Sequence, residues 1–95
     1  MAAYLVGNVE IEDEFTIEEY RRRALPLVER YGGKALVIDA TPVYFEGNWI
    51  PRNMILLEFP NMSAICGLLS SPEYAPLAAM RQASAHTDLV AFGGL

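Results

Sequence analysis

From Ala3 to Ile11 the chain alternates. Ala3, Leu5, Gly7, Val9 and Ile11 fall on one side, and Tyr4, Val6, Asn8 and Glu10 on the other. A period of two predicts a strand. Past the acidic run Glu12-Asp13-Glu14 the period changes. Ile17, Tyr20, Ala24, Leu27, Val28 and Tyr31 share an arc of roughly 100° at helical spacing. Glu18, Arg22, Arg23, Glu29 and Arg30 take the wet side. Thr16 and Glu19 form a capping-box pattern at the start of this helix. Pro26 should kink or split it, and Gly32-Gly33 supplies its stop.

Residues 34–45 read as a second strand, with Pro42 marking a bulge or a sheet edge. Glu46-Gly47-Asn48 is turn chemistry, and a third strand runs from Asn53 to Phe59, so the two strands predict a long hairpin. Asn61 can cap a short helix over 62–70, with Met62, Ile65, Cys66 and Leu69 on one face. Ser71-Pro72 starts another helix, running to about Gln82. A last strand covers 86–93. The order is β-α-β-β-α-β, the α+β ferredoxin-like plan with a four-stranded antiparallel sheet and helices on one face.

An uncovered sheet face should be polar. Here Met54 and Leu56 oppose Ile55, Leu57 and Phe59, and Tyr4 and Val6 oppose Leu5 and Val9. Both faces are apolar, which predicts a homodimer with two sheets packed face to face as a barrel-like pair.

Composition narrows the functions. The chain has 95 residues, which suits one domain over 1–95. Seven basic against twelve acidic residues give a net charge of −5, so nucleic acid is not an expected partner. One cysteine excludes an internal disulfide and any multi-cysteine metal site. No signal peptide, no membrane span, no phosphate loop and no dinucleotide fingerprint is legible. A cytoplasmic protein without cofactor or metal is the expectation.

In order along the chain stand Ala3-Tyr4-Leu5, Glu19-Tyr20-Arg21, Tyr31-Gly32-Gly33-Lys34 and Phe45-Glu46-Gly47-Asn48-Trp49. They are followed by Glu58-Phe59-Pro60, Ser71-Pro72-Glu73-Tyr74 and Arg81-Gln82-Ala83-Ser84. Carrying these fragments, the chain resembles the domain-of-unknown-function 1330 family of the dimeric α+β barrel superfamily, over essentially its whole length. The resemblance implies the fold and a homodimer, and no established reaction. Many relatives resemble Arg-Gly-Gly where this chain has Ile38-Asp39-Ala40, so an anion-binding role for that arginine does not carry over. Distant relatives in the superfamily include isomerases and cofactor-free monooxygenases, which is fold analogy only.

Candidate chemistry lies in polar residues at apolar-patterned positions. Glu58 follows Met54 and Leu56, and Asn8 follows Tyr4 and Val6. A carboxylate between sheets would be a candidate general base, or else half of a structural pair. Arg81 shares a helix face with Tyr74, Leu77 and Ala78; it would bind an anion or pair with a buried acid. His86, the only histidine, is a candidate proton shuttle or a surface residue. Arg21 borders the first helix's stripe, and Arg52 and Trp49 flank the hairpin. Cys66 reads as a buried, inert thiol. The reading is a homodimer whose cleft, between sheet and helices, takes a small anionic or carbonyl metabolite. Arg81, Arg21, Arg52 and Asn8 would hold it, and Glu58 and His86 would move protons. A non-catalytic binding or assembly module and a cofactor-free monooxygenase are the alternatives.

Overall fold

Every second residue of β1 (Ala3–Ile11) is buried, from Ala3 to Val9, as the alternation predicts. In the computed structural model, which describes residues 1–95, six elements follow. They are α1 (Glu14–Arg30), β2 (Lys34–Ala40), β3 (Asn53–Phe59), α2 (Met62–Ser70), α3 (Ala75–Ser84) and β4 (Ala85–Gly93). The strands form one antiparallel sheet in the order β2-β3-β1-β4. This is the ferredoxin-like α+β fold.

The helices dock on the side of the sheet that carries Ala3, Leu5, Leu57 and Phe59. Ile17, Ala24, Leu27 and Val28 are the buried residues of α1. Phe59 and Leu68 are each 1% exposed, and burying side chains of this size contributes about 1.5–3 kcal/mol apiece. The other side of the sheet has no helix. Its register aligns Val37, Leu56, Val6 and Val90 across all four strands, with Tyr4 opposite Phe92 beside them. Val90 and Phe92 remain 59% and 52% exposed.

Local signals differ from the sequence reading at five places. First, α1 begins at Glu14 and not at Thr16, because Asp13 is the cap. The Asp13 carboxylate accepts from the Thr16 hydroxyl at 2.7 Å and from its backbone N–H at 3.2 Å. Those bonds hold the Asp13 carboxyl below its usual range. Glu19 pairs instead with Arg22 and Arg23. Second, α1 runs through Pro26 unbroken. Pro26 is on the exposed side, where the Arg22 carbonyl that loses its donor can be hydrated.

Third, β2 stops at Ala40, short of Phe45. Residues 41–52 leave the sheet as an irregular arm, bent at 46–48, that exposes Phe45, Trp49 and Ile50. Fourth, Ser71 ends α2, and α3 starts only at Ala75. The Ser71 hydroxyl donates to the Leu68 carbonyl and accepts from the Tyr74 N–H, closing a separate turn. Cys66 is exposed and not buried, since α2 buries Ile65 and Leu68 and so turns residue 66 outward.

The end of α1 shows how tightly the helix layer meets the sheet. Gly32, at φ 81°, and Gly33 donate to the Glu29 and Val28 carbonyls, a Schellman close that needs glycine at the left-handed position. A Cβ at Gly33 would lie 2.5 Å from Val28 Cγ1 and 2.7 Å from Phe59 Cε1. Both neighbours are buried core side chains, so a methyl group there has to displace one of them. Gly33→Ala is expected to lower stability by about 1–3 kcal/mol in urea unfolding, the usual scale for overpacking. Gly93→Ala, which meets nothing within 4 Å, should leave it unchanged.

Candidate functional site

Between the helix layer and the sheet lies a cavity of about 70 Å³. Most of its wall is aliphatic, supplied by residues such as Leu5, Ile17, Val28, Ile55 and Leu89. Five polar side chains join them: Tyr20 and Arg21 from α1, Tyr74 from the turn before α3, Arg81 from α3 and Thr87 from β4. No Asp, Glu or His is among the lining residues.

Helical spacing brings Arg81 there. Leu77 is buried, Ala78 packs against the core, and Arg81, one turn on, extends the same inward stripe. Thr87 comes from strand parity. It follows Ala85 and precedes Leu89 on the helix-facing side of β4. The Tyr20 and Tyr74 hydroxyls lie 2.7 Å apart and are hydrogen-bonded, with either able to donate. Their rings meet nearly edge to face at 70°. Burial is the first cause holding the Tyr20 hydroxyl well above the usual tyrosine range, with Tyr74 adding to the rise. The neighbouring Arg81 guanidinium offsets part of it.

Two buried polar atoms in this cavity have no protein partner: Arg81 Nε and Thr87 Oγ1. An unmade hydrogen bond at a buried group costs about 1–3 kcal/mol. Two such costs are a large share of the roughly 5–15 kcal/mol that stabilises a domain. Arg81 makes none of the ion pairs in the molecule. A guanidinium and a hydroxyl face an apolar space where an acceptor-bearing ligand would satisfy both.

The other residues singled out in the sequence fall elsewhere. Glu58 and Asn8 are on the open face, as their parity predicted, but the sheet separates them from Arg81. A site combining all three does not form within one protomer, because α3 packs on the opposite face. Glu58 lies opposite Tyr4 and Lys34, and its carboxylate raises the Tyr4 hydroxyl's pKa. Asn8 Oδ1 accepts from the Arg52 N–H at 2.7 Å and so pins the chain as it enters β3. The Arg52 residue is exposed. His86 is exposed on the open face, 3.6 Å from Asp88. Arg21 reaches the cavity, yet both its terminal nitrogens bind the Asp39 carboxylate, with Nη2 at 2.6 Å from Oδ1. Sequence reasoning missed Thr87; Tyr74 is a core residue with Tyr20 packed against it, and both also line the cavity. A small polar residue within the inward alternation of the last strand was the available signal.

The family model for DUF1330, a domain of unknown function, matches residues 2–95. The chain belongs to the DUF1330 family. Among solved structures, the DUF1330 chain is similar to RPA0582, a protein of unknown function from Rhodopseudomonas palustris. Identity is 19%, coverage 99% of this chain and 82% of that one, and the TM-score 0.81. It is also similar to SnoaB, a cofactor-independent oxygenase from Streptomyces nogalater. There identity is 14%, coverage 99% and 93%, and the TM-score 0.72. A third is a dimeric ferredoxin-like protein of unknown function from Jannaschia sp. CCS1, at 14% identity, 99% and 100% coverage and a TM-score of 0.63. At these identities the likeness establishes the fold. No curated protein matches the chain. No helix of this DUF1330 protein is long and apolar enough to cross a membrane.

The tyrosine pair makes a pH-dependent contribution with a definite sign. Tyr20 stays protonated in the fold where the unfolded chain ionises near its ordinary value of 10.0. Stability is therefore fully present below that pH and is lost as pH rises beyond it. Tyr20→Phe is expected to lower stability at neutral pH by about 1 kcal/mol, through the lost hydroxyl bond. It should also flatten the alkaline decline. Urea midpoints at neutral and strongly alkaline pH check both.

Proposed function

We propose that the cavity between α1, α3 and the sheet binds a small anionic ligand, with Arg81 and Thr87 as its polar anchors. The observation that carries this reading is the pair of buried, unpartnered donors, Arg81 Nε and Thr87 Oγ1, in a wall without any acid. An arginine kept for structure would have a carboxylate; this one has none in the protein. A cavity of about 70 Å³ lies between the space of one water and the roughly 150 Å³ that holds benzene. That size favours a short aliphatic acid or oxo-acid over the phenolic substrate an oxygenase reading would require. The cavity holds no carboxylate or imidazole to act as base, so the geometry supports binding and carbonyl polarisation ahead of proton abstraction by Glu58 or His86.

The second element of the reading is a homodimer through the open face. The dimeric ferredoxin-like neighbour supports it, and so does the apolar row Val37, Leu56, Val6 and Val90, which nothing in one protomer covers. Two such faces stacked about a twofold axis bury both rows. Glu58, Asn8 and His86 would then lie at or beside the contact.

Two tests follow. Propionate or pyruvate is expected to raise the melting temperature of the wild-type protein. Arg81→Leu should abolish that rise while leaving the ligand-free protein at least as stable, because an unpaired charge has been replaced by packing. Loss of a charge-assisted bond predicts roughly tenfold or more weaker binding. For the dimer, the wild type should run at twice 10.5 kDa in native mass spectrometry, and Leu56→Lys should run at the mass of one chain.

A further inference from the structure

An ion pair stands at the cavity's β2 side. β2 is an edge strand whose register with β3 slips twice, between Ala35 and Val37 and again between Val37 and Ala40. The second slip spans Ile38 and Asp39. Asp39 sits there at φ 57°, a left-handed conformation that aspartate tolerates better than most residues. Bulges of this kind re-aim side chains. Ile38 becomes part of the cavity wall, and Asp39 meets Arg21 of α1 through both carboxylate oxygens. The pair is half-buried, at 22% and 35% side-chain exposure. Fork-to-fork geometry fixes both partners.

Without Asp39 the cavity would present two cations, Arg21 and Arg81. With it, Arg21 is neutralised and its donors are spent, which leaves Arg81 as the only lining charge without a counterion. We propose that the Arg21–Asp39 pair is the specificity determinant of the cavity: it restricts binding to monoanions, and a chain without the Asp39 carboxylate takes dianions in preference. This rests on the ligand-binding reading given above.

The test compares propionate with malonate at a pH where malonate carries two charges, by calorimetric titration. The wild type is expected to bind propionate more tightly. Asp39→Asn keeps the size of the side chain and suits the left-handed backbone, so the fold should persist. This variant should shift the propionate-to-malonate affinity ratio roughly tenfold or more toward malonate, the scale of one charge-assisted bond. The double variant Arg21→Gln with Asp39→Asn has no second cation and should return to the wild-type ratio. A ratio unchanged in Asp39→Asn, in a wild type that does bind propionate, overturns the specificity proposal alone. So does a malonate shift that persists in the double variant. A wild type that binds neither acid overturns the ligand-binding reading beneath it. Should Asp39→Asn fail to fold, Asp39→Gly, which accepts the same backbone, carries the same expectations.

Discussion

Side chains alternate across a strand, and this chain has helix enough for one face of its sheet only. The docking of α1, α2 and α3 against Leu5, Leu57 and Phe59 makes one side of the sheet dry. It leaves Val6, Leu56 and Val90 on the other. Every later feature depends on that division. The cavity is what remains between the helix layer and the sheet. The open face is the apolar surface that no helix covers. At Gly33, where α1 hands over to β2, the chain approaches the core side chains Val28 and Phe59 too closely for a Cβ.

Within the dry side, electrostatics select what is permitted. A buried guanidinium without a carboxylate is costly, and a neighbouring pair of hydrogen-bonded tyrosines is a modest local remedy and no counter-charge. Arg21 and Arg81 illustrate the two solutions available to an arginine at an apolar edge. One is answered by Asp39 through a strand bulge, and the other has no carboxylate partner in the chain. The same sheet edge therefore contributes an aliphatic wall through Ile38 and a charge correction through Asp39.

Much of the fold was legible because β1 and β3 keep strict parity and α1 keeps its stripe. Parity also placed Glu58 with Leu56, and Asn8 with Val6, correctly. What it does not state is which face the helices cover; once Leu5 and Leu57 are seen beneath them, Arg81 must lie across the sheet from Glu58. The start of α1 was ambiguous since Asp13 and Thr16 are both good caps, and the structure joins them in one motif. The end of β2 was overrun because Pro42 and the apolar residues after it resemble an edge strand. In fact they form an arm that pairs with nothing in the sheet. Cys66 was misplaced by a slight rotation of α2, a helix of 9 residues in which several apolar faces fit the same sequence.

The claim at the centre of this account is that Arg81 is kept unpaired for an incoming anion. The most direct measurement follows the Nε–H resonance of Arg81 by nuclear magnetic resonance as propionate is added. The account predicts a marked downfield shift and slowed solvent exchange that saturate with the acid, while Arg52, exposed at the start of β3, stays unmoved. An Arg81 resonance that does not respond, or one that moves no more than that of Arg52, would contradict it.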